Sequence, residues 1–251
     1  MIGDLLLVLL GLAVVLVGGD LLVRGAVGVA QAMRAPAGLM GLTIVAFGAS
    51  APEVVIAGEA ALRDAPGLAV GNIIGANIAN ILLAIGLAAC IRPLRACAGG
   101  IGSDAIFLLA ATAVFIATLA LKGRLDAGSS VAFFALFAAY VGAAVLRSPS
   151  KAPVGDDRSK APAPSHDPAA AMMLLICGLI GLPVGAHFLI SGSVSFAVDL
   201  GVRQEIIGVS IIAAGTSLPE IATMVAAARR GENELAAGGI LGSCVCNLLA
   251  A

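Results

Sequence analysis

Two glutamates hold equivalent places in two similar stretches of a very apolar chain, and their carboxylates are the groups best able to do chemistry. Glu53 ends the stretch GLTIVAFGASAPE, and Glu220 ends the stretch GVSIIAAGTSLPE. An unpaired carboxylate at mid-membrane depth costs on the order of several kcal/mol, so something must compensate the pair. Carboxylates grouped with hydroxyls and carbonyls suit oxygen-seeking cations such as Ca²⁺ and Na⁺, and protons could also neutralise them.

Residues that weaken helices precede both glutamates. They are Gly48, Ser50 and Pro52 in the first stretch and Gly215, Ser217 and Pro219 in the second. Proline removes a backbone donor, so each helix should break at this point. The carbonyls freed by a break can ligate a hard cation if they face a cavity lined by protein.

The two stretches belong to a longer internal repeat with an offset of 167 residues (220 − 53). At this offset Gly18 matches Gly185, Gly71 matches Gly238, and Asn80 matches Asn247. Self-similarity of this length indicates duplicated halves. Because five predicted spans separate the starts of the two copies, the copies should be oppositely oriented, as in many secondary transporters.

Two further segments should face the glutamates. Asn72, Ala76 and Asn80 recur every four residues and therefore fall on one helical stripe. Gly239, Ser243 and Asn247 form the counterpart of that stripe in the second copy. The asparagines could line a cation site or could serve only as hydrogen-bonding groups between helices.

Composition places the chain in a membrane. Of its 251 residues 60% are hydrophobic and 12% are charged, and the mean hydropathy is +1.09. The net charge of −1 gives no reason to expect nucleic acid as a partner. The sequence has no His-Glu-x-x-His motif and no convincing Ser/His/Asp set, so we expect neither an enzyme nor a cofactor.

Eight apolar segments long enough to span a bilayer begin near residues 4, 38, 67, 101, 128, 170, 206 and 235. A polar stretch rich in proline separates the fifth from the sixth. The predicted organisation is therefore a first transmembrane repeat of five helices at 1–147, a polar cytoplasmic linker at 148–168, and a second, incomplete repeat of three helices at 169–251. Near span ends, the spacing of Asp20 and Arg24 suggests a pair between neighbouring turns.

The distribution of basic residues predicts the orientation, because cytoplasmic loops carry the excess of lysine and arginine. With the N-terminus outside, ten of the 14 basic residues lie on the inner side. These ten are Arg24, Arg34, Arg92, Arg95, Arg147, Lys151, Arg158, Lys160, Arg229 and Arg230. We therefore expect a multi-pass protein of the cell membrane with an outer N-terminus.

The paired motifs resemble the two alpha repeats of the sodium/calcium exchanger family, in the cation/calcium antiporter superfamily. The resemblance rests on the two glutamate stretches together with GNIIGANIAN at 71–80 and GGILGSCVCN at 238–247. It implies an all-α inverted-repeat transporter with two five-helix halves and four cation sites around the glutamates. The second half of this chain lacks the last two helices of that pattern, so we expect either a fragment or a truncated exchanger.

The resemblance also implies a ligand set. Glu53 and Glu220 would be shared ligands of Ca²⁺ and Na⁺. The remaining positions would supply hydroxyl oxygens, main-chain carbonyls and the amides of the central site: Ser50, Thr216, Ser217 and Ser243; Ala46 and Ala213; Asn80 and Asn247. The chain departs from the family pattern at Ala49, where a threonine is usual, at Ala76 and Cys244, and at Asn247, which is aspartate in some members.

The leading hypothesis is alternating-access exchange of Ca²⁺ against Na⁺ at this shared site. Two alternatives remain open. Protons could replace Na⁺ as the coupling ion, because two asparagines occupy the centre of the site. The chain could also be a remnant or membrane subunit that does not transport, because its second half is shorter than its first.

Overall fold

The computed structural model describes residues 2–62, 66–93, 101–123, 125–147, 167–202 and 213–251, and all the regular structure in these ranges is helical. In chain order the helices are α1 (Ile2–Ala32), α2 (Ala37–Ala49), α3 (Ala51–Leu62), α4 (Pro66–Ala79 continued by Asn80–Ala84 and Ile85–Ile91), α5 (Ile101–Lys122), α6 (Ala127–Arg147), α7 (Pro168–Asp199), α8 (Ala213–Thr216), α9 (Leu218–Arg230) and α10 (Asn233–Leu249).

Six of the eight predicted spans correspond to helices of sufficient length and apolar character. Five uninterrupted helices, α1 and α4 to α7, are long and apolar enough to cross a membrane, and α2 with α3 forms a bent sixth candidate. The first residues of the seventh predicted segment, and the predicted linker before Asp167, lie outside the described residues. The eighth segment is α10, which has 17 residues. The chain is therefore an all-α, multi-pass membrane protein.

The two longest helices, α1 and α7, pack against each other in antiparallel directions with close backbone contact. A methyl group added at Gly18 would lie 3.1 Å from the backbone nitrogen of Leu182, and one at Gly185 would lie 2.7 Å from that of Val15. The two contacts are equivalent under the repeat. Gly18 corresponds to Gly185 (18 + 167), and Val15 corresponds to Leu182 (15 + 167). Small residues permit this approach. The interface therefore has the pairing expected of two inverted halves.

The helix breaks predicted from the sequence are confirmed in both copies. Helices α2 and α3 meet at Ser50 with a bend of 45°, and α8 and α9 meet at Ser217. Ser50 has φ −81° and ψ 3°, and Ser217 has φ −84° and ψ 1°. Pro52 and Pro219 lie in the first turn after each break, where the missing N–H removes no helical hydrogen bond.

Helix α10 runs parallel to α2 in contact with its backbone. A methyl group at Gly242 would collide with the carbonyl oxygen of Leu42 and would lie 2.7 Å from the Ala46 side chain. Residues Gly41–Val45 of α2 form a π-helical stretch, which shifts the following turn relative to a regular helix. This packing places the last turn of α2 directly beside Ser243.

Helices α5 and α6 form a hairpin that covers one face of α10 and extends the apolar core through Phe115 and Phe133. Its turn is fixed by Asp126, which accepts hydrogen bonds from the backbone N–H and hydroxyl of Ser129 and pairs with Lys122. Many large apolar side chains elsewhere face outwards, for example Leu6, Ile74 and Ile106. In this fold the apolar surface faces lipid, and the buried polar groups mark the functional centre.

Candidate cation site

The two glutamates lie in the first turn of the helix that follows each break, Glu53 in α3 and Glu220 in α9. Both are buried, with exposed fractions of 0% and 3%. The positive end of a helix dipole stabilises a carboxylate in this position. The two breaks thus place the N-termini of α3 and α9, with their acidic side chains, in the interior of the protein.

A hydrogen bond joins the two copies at this point. The Ser50 hydroxyl donates to Glu220 Oε1 over 3.1 Å, so a residue at the first break contacts the carboxylate after the second. The charges of Glu53 and Glu220 also repel each other. The equivalent hydroxyl of Ser217 is buried and has no hydrogen-bond partner among the described residues.

Several buried oxygens in this region lack hydrogen-bond partners within the described ranges. They are Glu53 Oε1 and Oε2, Asn80 Oδ1, Ser217 Oγ, Glu220 Oε2 and Asn247 Oδ1, and the amide nitrogen Asn80 Nδ2 is unpartnered as well. Buried polar atoms are normally paired, so a cluster in which acceptors outnumber donors favours a positively charged or donating ligand. Carboxylate, hydroxyl and amide oxygens are the donor set of a hard cation such as Ca²⁺.

The net charge of the site leads to the same conclusion. Among the buried residues that the structure describes, Glu53 and Glu220 are the ones that carry charge, and both are acidic. No group of three or more His, Cys, Asp or Glu residues capable of holding a metal occurs in the described chain, which sets this site apart from transition-metal centres. The charge of the pair must therefore be compensated by a bound cation or by protons.

Ser243 and the last turn of α2 supply further oxygens. The Ser243 hydroxyl donates to the main-chain carbonyl of Ala46 over 3.3 Å. A crevice between α2, α9 and α10 reaches this group, and its lining includes Ala49, Glu220, Thr223, Ala227 and Ser243. One carbonyl named by the resemblance and one predicted hydroxyl are therefore adjacent, beside the crevice that Glu220 lines.

Asparagines connect α4 to both neighbouring motifs. Asn72 donates to the main-chain carbonyl of Glu53 over 3.2 Å, so the first residue of the predicted stripe on α4 contacts the first glutamate. Asn80 and Asn247, which correspond in the repeat, are both fully buried. Their immediate neighbour Asn77 donates to the main-chain carbonyl of Cys244 and accepts a hydrogen bond from Asn247 Nδ2.

Most of the predicted site residues are buried in the structure. Ser50, Glu53, Asn80, Thr216, Ser217, Glu220, Ser243 and Asn247 are all buried, and Ala213 begins the short helix α8. Ala49 and Ala76 are also buried, but they contribute no side-chain oxygen where their repeat equivalents, Thr216 and Ser243, do. The buried polar side chains therefore come from both copies, in unequal numbers.

The sequence prediction did not include Asn77, because it lies one residue after the stripe formed by Asn72, Ala76 and Asn80. The repeat offset provides a signal for it: position 77 matches position 244 (77 + 167), so the two residues that make contact are equivalent. In an inverted repeat, equivalent positions that touch must lie beside the pseudo-two-fold axis. The spacing of three residues between Asn77 and Asn80 also puts them on adjacent parts of α4.

The charged groups near the span ends lie outside this site. Asp20 pairs with Arg230 of α9, with 2.7 Å between Arg230 Nε and Asp20 Oδ1, and not with Arg24 as the spacing suggested. Arg92, which follows α4, packs over Gly231 at the C-terminal end of α9. A guanidinium at this end is favoured by the helix dipole. Asp20, Arg92 and Arg230 therefore gather at one end of the helix bundle.

Comparison with known families extends over nearly the whole chain. The family model described as sodium/calcium exchanger protein matches residues 4–146 and 170–251. A putative antiporter, CaxA of Alkalimonas amylolytica, is 35% identical over 97% of this chain and 77% of its own length. The sodium/calcium exchanger MaX1 of Methanosarcina acetivorans is 27% identical over 98% of this chain and 80% of its own length.

Solved structures agree with these sequence matches. The sodium-calcium exchanger NCX_Mj, soaked with 2.5 mM Na⁺ and 10 mM Sr²⁺, superimposes with a TM-score of 0.85 at 29% identity. The match covers 98% of this chain and 79% of the exchanger. The same exchanger soaked with 10 mM Na⁺ and 10 mM Sr²⁺ matches with a TM-score of 0.84 at 30% identity.

Proposed function

The chain belongs to the sodium/calcium exchanger family, and from this we propose that it carries Ca²⁺ and Na⁺ in opposite directions across a membrane through the site between Glu53 and Glu220. As a member of this family it is a transporter and not an enzyme. One observation supports the location of the site above all others. Two buried carboxylates, one from each copy of the repeat, lie among oxygens that have no partner in the described structure.

Exchange follows from sharing this pair of carboxylates. Two buried negative charges with no buried cation beside them in the described residues are costly unless a cation binds. One Ca²⁺, or Na⁺ ions in its place, can supply the compensating charge through the same oxygens. The two ions then compete for one site, and a site that opens alternately to each side carries them in turn.

We further propose the individual ligands. Glu53, Glu220 and Ser217 would bind through their side chains, together with the hydroxyls of Ser50, Thr216 and Ser243. The amide oxygens of Asn80 and Asn247 and the main-chain carbonyls of Ala46 and Ala213 would complete the set. The burial of these side chains and the unpartnered oxygens among them support this assignment.

Transport in reconstituted vesicles tests this function directly. Proteoliposomes loaded with Na⁺ and diluted into Na⁺-free medium containing Ca²⁺ should accumulate Ca²⁺. Glu53→Gln and Glu220→Gln should each abolish this uptake, because each removes half of the negative charge that holds the cation. Glu59→Gln is the matched control: Glu59 lies in α3 like Glu53 but is exposed, so its loss should leave uptake unchanged.

The same vesicles separate the alternatives. Ca²⁺ uptake that ignores Na⁺ but follows a pH gradient would replace Na⁺ by protons as the coupling ion, which two buried carboxylates flanked by neutral asparagines could also accept. Uptake that survives both glutamine substitutions would disprove the proposed site. If the purified protein showed no saturable Ca²⁺ binding, the hypothesis of a remnant that does not transport would be favoured.

The proposed orientation puts the N-terminus outside and the 148–168 linker in the cytoplasm. The gathering of Arg92 and Arg230 at one end of the bundle supports it, because the excess of basic residues marks the cytoplasmic side. A single cysteine replacing Arg92 in a cysteine-free variant should react with an impermeant thiol reagent only from the cytoplasmic face. Labelling from the outer face would reverse the assignment.

A further inference from the structure

We propose that Asn77 is a positioning residue that fixes the amide of Asn247 so that its oxygen, and not its NH₂ group, is available to the cation. The inference rests on the proposed function of the site. Asn77 is not among the residues that the resemblance assigns to the cation. It is set apart by two hydrogen bonds that link equivalent regions of the two copies.

The orientation of Asn77 is determined by a main-chain group. A carbonyl oxygen can only accept a hydrogen bond, so Asn77 must present its NH₂ group to the carbonyl of Cys244, at a distance of 3.1 Å. Its own carbonyl oxygen is then the atom left to face Asn247. If the Asn77 amide were flipped, its oxygen would face the oxygen of Cys244, and two acceptors cannot form a hydrogen bond.

This constraint passes to Asn247. Because Asn77 Oδ1 is an acceptor, Asn247 must turn its NH₂ group towards it, and the donor and acceptor are 3.2 Å apart. Asn247 Oδ1 is thereby directed away from Asn77, and it is buried with no partner among the described residues. The main-chain carbonyl of Cys244 thus sets, through Asn77, which end of the Asn247 amide remains free.

The consequence is chemical selectivity for a cation. An oxygen attracts Ca²⁺ or Na⁺, whereas an NH₂ group repels them. A free Asn247 amide could also rotate and donate its NH₂ group to a buried carboxylate in the absence of cation. Such a charge-assisted hydrogen bond would stabilise the empty site and compete with every cation that enters it. Asn77 prevents this competition because its hydrogen bond keeps the Asn247 NH₂ group directed towards Asn77.

A double-mutant cycle with Ca²⁺ binding to the purified protein as the readout tests the inference. Asn77→Ala should weaken Ca²⁺ binding about tenfold, the factor expected when a hydrogen bond to a charged group competes with the ion. In an Asn247→Ala background the same substitution should have no further effect, because the amide on which Asn77 acts is gone. Asn77→Ser retains a donor for the Cys244 carbonyl and serves if Asn77→Ala folds poorly.

Ile78→Ala is the packing control, since Ile78 neighbours Asn77 on α4 and is 54% exposed; it should bind Ca²⁺ like the wild type. If Asn77→Ala lowered the affinity equally in both backgrounds, its role would be general packing between the halves, and the inference would be wrong. Unchanged affinity in the single variant would also contradict it. Wild-type protein with no saturable Ca²⁺ binding would overturn the proposed function, and this inference with it.

Discussion

The two copies of the glutamate motif share a backbone but not a set of side chains. Ser50 and Ser217 break their helices with almost the same dihedral angles, φ −81° and ψ 3° against φ −84° and ψ 1°. Around this common frame the first copy has Ala49 where the second has Thr216, and Ala76 where the second has Ser243. Duplication therefore preserved the shape of the break, while the oxygens around it diverged.

The divergence gives the copies different tasks. The second copy contributes hydroxyls, including that of Ser243 beside the Ala46 carbonyl. The first copy contributes amides, since Asn72 supports the main chain at Glu53 and Asn77 contacts Cys244. The equivalents of these two asparagines are Gly239 and Cys244, which have no amide. Among the proposed ligands the second copy therefore has more of the side-chain oxygens, and the proposed role of the first copy is to orient one of them, Asn247 Oδ1.

The equivalent helices α4 and α10 also differ in their surroundings. Helix α10 is buried along most of its length, where it packs against α2, α5, α6 and α9. Helix α4 instead presents large apolar side chains on its outer face, for example Ile78 and Leu82, with exposed fractions of 54% and 66%. The contact of α10 with the α2 backbone at Gly242 is therefore a direct test of packing in the second copy.

The largest effect is expected from packing in the second copy. Gly242→Ala would force a methyl group into the carbonyl of Leu42 and the side chain of Ala46, and overpacking of this kind costs about 1–3 kcal/mol. Because α10 would be pushed away from α2, Ser243 would separate from the Ala46 carbonyl. We expect loss of Ca²⁺ uptake and a lower unfolding temperature in detergent.

Gly142→Ala in α6 is the matched control, because no described atom lies within 4 Å of a methyl group added there. Alanine is also the better helix former, so this variant should be as stable as the wild type or slightly more so. Equal unfolding temperatures for Gly242→Ala and Gly142→Ala would show that the close contact between α2 and α10 is not needed for the fold.

An intermediate effect is expected where the copies differ by one hydroxyl. Ser243→Ala should weaken Na⁺ binding about tenfold, since it removes an oxygen beside the Ala46 carbonyl from a site where oxygens compensate the charge. Ala76→Ser adds a hydroxyl at the equivalent position of the first copy and should strengthen Na⁺ binding by a smaller factor. Competition of Na⁺ with Ca²⁺ in equilibrium binding measures both changes.

The double variant sharpens this comparison. If the two copies form separate Na⁺ subsites, combining Ser243→Ala with Ala76→Ser should move the stronger subsite from the second copy to the first. The double variant should then recover part of the Na⁺ affinity that Ser243→Ala loses. If Ala76→Ser has no effect alone and none in combination, the first copy does not use position 76 for cations. The divergence at that position would then reflect packing alone.

Much of this architecture was predictable because local chemistry determines it. The helix breaks follow from the glycine, serine and proline before each glutamate, and the burial of Glu53 and Glu220 follows from their place within apolar spans. The repeat offset predicted which residues would be equivalent. These features depend on a few neighbouring residues or on comparison of the sequence with itself.

The contacts between the two halves were not predictable in the same way. Whether Asp20 meets Arg24 or Arg230 depends on how α1 crosses α9, and spacing along one helix cannot report that crossing. The bond between Asn77 and Asn247 likewise depends on where α4 and α10 meet. Sequence periodicity therefore identified the faces of the helices, and the packing of the halves determined the partners.

The smallest effect is expected from the ion pair at one end of the bundle, where the copies also differ: the equivalent of Asp20 is His187, which has no negative charge to offer. The Asp20 and Arg230 side chains are 40% and 26% exposed, so water screens their attraction, and Asp20→Asn should cost less than about 1 kcal/mol of stability. Salt should reduce the difference further.

Thermal unfolding in detergent at low and high salt measures this loss of stability, and the exchanged pair Asp20→Arg with Arg230→Asp should recover most of it. A large loss of stability, or a loss of Ca²⁺ uptake in a variant that remains folded, would instead make this pair part of the transport cycle and extend the asymmetry of the two copies beyond the cation site.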